Sequence, residues 1–187
     1  EALKKAYRLP GVEVIILGAG IAGLAVARDL AHRGFGVSLI EVGNPGSGAT
    51  GRSAGQLHSG ARYAAENLRL AILCRHESVI LKRILPPAAL GATAFYLIDA
   101  ETGQFEGRFT QACRNADIHL VPRTGAWLRG RVATIAPTVQ RGYEAPDRAI
   151  DVATVLRSYL LELAALDVPI ATHTTLKDAS WSGNRWW

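Results

Sequence analysis

Hydrophobic and polar positions change their period along this chain, and the changes mark its elements. From Val12 it reads VEVIILGAGIAGLAVARDLAHRGFGVSLIEV. Residues 12–17 are a short β-branched run, which predicts a parallel strand covered on both faces. Ile21, Leu24, Ala25, Ala27 and Leu30 then recur at helical spacing until Gly34 stops the helix. Residues 36–42 predict a second buried strand. Strand, helix and strand together take about 30 residues, the least a parallel crossover needs.

Residues 43–60 break this order with a glycine-rich loop, part of which, within 52–57, is compatible with a short helix. Residues 67–85 place Leu70, Leu73, Cys74, Ile80, Leu81 and Ile84 on one face and predict a helix ended by Pro86 and Pro87. A strand is expected at 92–99, a helix at 105–116, an extended piece at 118–122 and a further strand at 141–147. DVATVLRSYLLELAALDV, residues 151–168, predicts a helix with Asp151 as N-cap and a stripe of Val155, Leu156, Tyr159, Leu160, Leu163 and Leu166. Strands separated by the turn SGN follow, and the chain stops in mid-hairpin on two tryptophans. That ending, and a start at Glu1 with no methionine, suggest a piece of a longer protein.

A hydrophobic share of 49% in 187 residues is enough for a globular core. Lys and Arg outnumber Asp and Glu by 21 to 16, giving a net charge of +5. The arginines are scattered rather than gathered in a stripe, which argues against nucleic acid. Cys74 and Cys113 stand far apart with no CxxC and no histidine pair, so neither a disulfide framework nor a zinc site is expected, and a reduced cytoplasmic setting fits. No apolar run reaches the roughly 18 residues of a membrane span.

GAGIAG sets Gly18, Gly20 and Gly23 in a GxGxxG arrangement between the first strand and the first helix. Gly18 permits the tight turn, Gly20 a close approach of backbone to a pyrophosphate, and Gly23 close packing of helix on strand. The helix N-terminus offers free N–H groups and a partial positive charge. Glu41, 18 residues after Gly23, ends the second strand where a carboxylate can accept from a ribose and would repel a 2'-phosphate. A dinucleotide, NAD or FAD, is the expected ligand.

The next segment, GNPGSGATGRSAGQLHSGARYA, separates these two. A nicotinamide dehydrogenase usually enters another crossover helix here, whereas a long ribbon of small residues can run its backbone beside a flavin. In VIILGAGIAGLAVARDLAHRGFGVSLIE, in GATGRSAGQLHSGARYA of this ribbon, in ESVILKRI at 77–84 and in YEAPDRAIDVATVLRSYLLELA at 143–164, the chain resembles the FAD-dependent glycerol-3-phosphate dehydrogenases, in particular the FAD-binding subunit of the anaerobic enzyme, within the D-amino-acid oxidase-like flavoproteins. The likeness covers nearly all the chain after Gly11. LHSGARY is its narrowest motif. Where the family commonly carries Pro-Asp-Gly, this chain has Pro146, Asp147 and Arg148.

The resemblance implies an α/β, Rossmann-like FAD-binding fold with a parallel central sheet and a β-meander, cut before its C-terminal half. Residues 1–187 would be the N-terminal part of that domain, with 86–147 contributing to an inserted substrate-side subdomain. It implies that Gly18, Gly20, Gly23 and Glu41 hold the ADP half of FAD, that Thr50, Ser53, Gly55 and Leu57 line its pyrophosphate, ribityl chain and ring, and that Leu176 touches the adenine by backbone. His58, Arg62 and Tyr63 match the stretch near the flavin ring. Oxidising a secondary alcohol needs a base, a hydride acceptor and a cation for the substrate phosphate. His58 is the candidate base or a donor to the flavin, Arg62 the phosphate grip, and Tyr63 the residue that orients either.

The implied reaction is oxidation of sn-glycerol 3-phosphate to dihydroxyacetone phosphate, with electrons passed to quinone or to electron-transfer partner subunits and any membrane attachment made only through those partners, on the inner face of the cell membrane. Two alternatives stand beside it. One keeps the flavin but takes an amine, an amino acid or a 2-hydroxy acid; the other is an inactive nucleotide-binding fragment, colourless when purified because the family's remaining flavin and substrate residues would lie beyond Trp187.

Overall fold

The computed structural model describes residues 11–99, 101, 103–183 and 185–186. In chain order its elements are β1 (Val14–Leu17), α1 (Ile21–His32), β2 (Val37–Ile40), β3 (Gln56–Leu57), α2 (Leu68–Ile84), β4 (Leu90–Ile98), α3 (Gly103–Asn115), β5 (Val121–Thr124), α4 (Gly125–Arg131), β6 (Arg141–Ile150), α5 (Val152–Ala165), β7 (Ile170–Ala171), β8 (Trp181–Ser182) and β9 (Arg185–Trp186). They gather into two compact units, one made of the described residues within 1–53 and 152–187, the other of those within 54–151.

The first unit holds a parallel sheet in the order β1-β2-β7, with Val14 opposite Val37 and Leu39 opposite Ile170. Here α1 is the crossover between β1 and β2. Leu24 and Ala27 of α1, Leu39 of β2 and Tyr159 and Leu163 of α5 are buried. Glu162 of α5 ties the two helices, accepting from Arg28 Nε at 2.6 Å and meeting His32 Nε2 at 2.6 Å.

Two expectations need correction in this unit. β2 is covered on both faces as a strand flanked on both edges should be, but β1 is not: Ile15 and Leu17 are each 58% exposed. β1 has one strand neighbour, β2, among the described strands. The stripe of α5 is also narrower than its spacing suggests. Val155, Tyr159 and Leu163 are buried, while Leu166 is exposed past the helix end. Of the terminal hairpin, β8 and β9 pair antiparallel, and Asn184 and Trp187 lie outside the described residues.

The second unit is built on an antiparallel sheet around β6. β4 runs along one side of it, from Leu90 opposite Ile150 to Ile98 opposite Arg141, with a register shift near Thr93. β3 and β5 share its other side, Leu57 opposite Arg148 and Val121 opposite Glu144. Phe109, Cys113, Ala116 and Ile118 from α3 and its exit form a core with Ala61, Ala64, Ala71 and Ala145.

In this unit α2 turns the expected face outward. Leu70, Leu73, Ile80 and Ile84 are exposed, while Ala71 and Ser78 are buried. The cause is how closely the helix approaches the chain beneath it. A Cβ on Gly60 would stand 2.4 Å from the Ala71 carbonyl oxygen, so the contact face accepts only small residues. Residues 52–57 do not form a helix: a 3-10 turn occupies Thr50–Arg52, and Gln56 and Leu57 extend to pair with β6. The sequence reading missed α4 altogether, a seven-residue helix whose N-cap hydroxyl, Thr124 Oγ1, accepts from Trp127 N at 3.2 Å. No helix among the described residues is long and apolar enough to cross a membrane.

Candidate functional site

The glycine turn of the first unit has the expected construction. Gly18 leaves β1 with φ +99°, a conformation that disfavours side chains, and its N–H donates to Ile40 O at 2.8 Å. A Cβ on Gly23 would lie 1.9 Å from the Gly18 carbonyl oxygen, so only glycine lets α1 sit this close to the strand end. Gly20 is the N-cap of α1, extended, and contributes no side-chain cap; the first turn carries no acidic residue. The Ile21 N–H donates to Thr50 Oγ1 at 3.0 Å, which fixes Thr50 beside the turn. An N-cap without a side chain, a first turn free of carboxylates and a hydroxyl alongside suit a pyrophosphate.

Glu41 lies at the same place, 7% exposed. Its carboxylate accepts from Ala19 N at 2.7 Å and from Gly43 N at 2.7 Å. These two backbone bonds hold its pKa below the usual carboxylate range, against the opposing effect of burial. The bonds also stitch the glycine turn to the end of β2, a structural duty added to the ribose contact expected of it. Each oxygen keeps a second lone pair for a hydroxyl. Ser53 follows in extended conformation, its N–H on Thr50 O at 3.3 Å. Leu176 is 45% exposed on the irregular segment after β7, the segment whose Thr174 N–H donates to Glu41 O at 3.0 Å.

The second unit brings His58, Arg62 and Tyr63 together. The His58 and Tyr63 rings meet edge to face with centroids 5.3 Å apart, and the Arg62 guanidinium lies 5.2 Å from the Tyr63 centroid. His58 Nδ1 is buried without a hydrogen-bond partner among the described residues. Gly55 has φ +58°, and its carbonyl accepts from Ile150 N at 2.7 Å. Leu57 points its side chain into the core, 9% exposed, so any contact with a flavin would be through its backbone.

What holds this loop was not read from the sequence. Asp147 of β6 is fully buried and accepts four bonds: Ser59 N at 2.7 Å, Ser59 Oγ at 2.5 Å, Tyr96 OH at 3.1 Å and Gln56 Nε2 at 3.3 Å. Burial, together with the Asp147 charge, pushes the Tyr96 hydroxyl upward, so it stays a donor. Ser59 is thus pinned between His58 and Gly60. One signal was available, since an aspartate inside a β-strand runs against strand propensity and calls for a reason.

Comparison with known proteins shows the family. The family model described as "FAD dependent oxidoreductase" (DAO) matches residues 13–187. One component of the anaerobic glycerol-3-phosphate dehydrogenase of Escherichia coli K12 is 35% identical over 140 residues, 74% of this chain and 26% of that one. The chain therefore spans about a quarter of that relative's length. Among solved structures, L-amino acid deaminase from Proteus myxofaciens superposes with a TM-score of 0.78 at 21% identity, over 95% of this chain and 42% of the other. L-α-glycerophosphate oxidase from Mycoplasma pneumoniae, with FAD bound, does so with a TM-score of 0.72 at 20% identity, over 91% and 47%. The glycine turn, the acid at the end of β2, the fold and the family match converge, and the chain belongs to the DAO family of FAD-dependent oxidoreductases.

Proposed function

We propose that this chain is the N-terminal, FAD-binding part of a glycerol-3-phosphate dehydrogenase. The observation that carries the reading is the assembled trio in HSGARY, a histidine with a buried free nitrogen beside an arginine stacked on a tyrosine, in a chain 35% identical to a component of an anaerobic glycerol-3-phosphate dehydrogenase. FAD supplies the hydride acceptor. Gly18, Gly20, Gly23 and Glu41 would hold its ADP half, Thr50, Ser53, Gly55 and Leu57 would line its pyrophosphate, ribityl chain and ring, and Leu176 would meet the adenine by its backbone.

On the substrate side Arg62 grips the phosphate with two N–H groups, Tyr63 fixes the guanidinium plane, and His58 takes the proton of the C2 hydroxyl as the C2 hydride leaves. The product is dihydroxyacetone phosphate. The electrons pass on to quinone through partner subunits, which also provide whatever membrane attachment the enzyme has on its cytoplasmic side. Residues 86–147 belong to the substrate-side part of the second unit.

The test is anaerobic reduction of the full-length flavoprotein. Addition of sn-glycerol 3-phosphate is expected to bleach the flavin absorbance, and Arg62→Gln to raise the concentration needed by about a hundredfold, the value of a charge-assisted bidentate contact. Bleaching by an amino acid or amine, with none by glycerol 3-phosphate, overturns the substrate while leaving the flavin in place.

A further inference from the structure

The second unit contains a cavity of about 150 Å³ that the redox reading does not use. It is lined by one face of α2, where Arg75, Ser78 and Lys82 stand at i, i+3 and i+7, together with Val79, Ser59, His119 and Pro146. Three of these side chains are basic and none is acidic. At about 30 Å³ per water, the volume admits about five heavy atoms.

The polar groups of the wall are short of an acceptor. Ser78 is 1% exposed, and its Oγ has no hydrogen-bond partner among the described residues. A buried hydroxyl left so is uncommon and calls for a missing partner. Lys82 Nζ donates to the Pro146 carbonyl oxygen, one bond for a group with three protons. Burial, then the Arg148 charge and, more weakly, Arg75 lower the Lys82 pKa, offset in part by Asp147. Positive charge there exceeds what the carboxylates nearby balance. Asp147 is engaged elsewhere, on Ser59, Tyr96 and Gln56, whereas the largely exposed Asp117 already holds Arg75, its carbonyl accepting from Nε and its carboxylate from Nη2, so Lys82 and the Ser78 hydroxyl are the donors in need of an acceptor.

We infer that this cavity binds a small tetrahedral oxyanion, inorganic phosphate or the phosphate head of a phosphomonoester, between Lys82, the Ser78 hydroxyl, His119 and the Arg75 guanidinium. A phosphate has five heavy atoms and oxygens on all sides, which suits a cavity lined by the side-chain donors of Arg75, Ser78, Lys82 and His119. Because Ser59 lines the cavity and is also bonded to Asp147 beside His58, an anion here stiffens the HSGARY loop from behind.

The inference is independent of the substrate proposed above, and thermal melting of the full-length flavoprotein tests it. Phosphate is titrated against chloride at equal ionic strength. Phosphate is expected to raise the melting temperature, with the half-saturating concentration about tenfold higher in Ser78→Ala and in Lys82→Gln, the value of one hydrogen bond to a charged group. Ser78→Ala is also expected to melt higher than wild type without phosphate, since it removes an unsatisfied hydroxyl, so its two effects have opposite signs. Arg62→Gln keeps the phosphate response, which separates this cavity from a substrate phosphate site. If Lys82→Gln does not fold, His119→Asn takes its place. Methyl phosphate acting at lower concentration than inorganic phosphate assigns the monoester, and the reverse order assigns the free ion. No phosphate response, a response unchanged in Ser78→Ala and Lys82→Gln, or one lost in Arg62→Gln alone overturns the inference.

Discussion

Asp147 shows how much one buried carboxylate organises in this chain. It accepts both the N–H and the hydroxyl of a serine 88 positions earlier, and a tyrosine hydroxyl besides. Asp147→Ala strands these donors in the interior, at about 1–3 kcal/mol for each group left unsatisfied. A total loss of about 3 kcal/mol is expected by urea unfolding, with Asp147→Asn recovering part of it because an amide oxygen still accepts. Activity is expected to fall further than stability does, since the loop freed is the one that carries His58. No local pattern announces this pair, because the two residues meet only when β3 and β6 align. The glycine turn differs in that its constraint is local. Gly23→Ala forces a Cβ against the Gly18 carbonyl oxygen at 1.9 Å, and overpacking of this kind costs about 1–3 kcal/mol. The variant is expected to purify with substoichiometric flavin, read from the ratio of flavin to protein absorbance.

Among the elements, α2 separates what hydrophobic spacing can and cannot say. Its existence and its end at the Pro86-Pro87 pair follow from periodicity and from proline chemistry. Which face packs does not, because the decisive quantity is the distance to the chain below, and that distance selects Ala71 and Ser78 over leucines. The reversal is checked by a pair of variants. Leu73→Ala, at a position 53% exposed, is expected to change stability by no more than about 0.5 kcal/mol, whereas Ala71→Leu, fully buried against the Gly60 turn, is expected to lose about 1–3 kcal/mol. The opposite order in urea unfolding would restore the leucine face as the packed one. The β1-α1-β2 crossover was legible because strand, turn and helix are contiguous and each glycine has one steric task. β3 and α4 were not: two residues are too few to show a period, and GAWLRGR carries two glycines that weaken any helical signal.

At the scale of the whole molecule, acid sensitivity follows from carboxylates distributed over both units. Glu41 is lowered by the Ala19 and Gly43 N–H groups, Glu144 mainly by its bond from Arg123, and Glu162 mainly by its bond from Arg28. All three shifts share a sign. A glutamate whose folded pKa lies below its unfolded value of about 4.3 adds stability that is fully present above that value and disappears as pH falls through the folded one. Stability is therefore expected to hold from neutrality to about pH 5 and to decline steeply below about pH 4.3, in both units. The three sites differ in their response to salt. Glu162 is one-third exposed and its partner Arg28 one-quarter, so salt screens that pair, whereas the buried Glu41 acts through fixed backbone N–H groups that salt barely reaches. Urea midpoints measured from pH 7 to pH 3 are expected to fall less in Glu41→Gln than in wild type at both low and high salt. Glu162→Gln is expected to flatten the curve only at low salt. Acid curves that coincide for wild type and Glu41→Gln would remove the glycine-turn carboxylate as a contributor to that acid sensitivity.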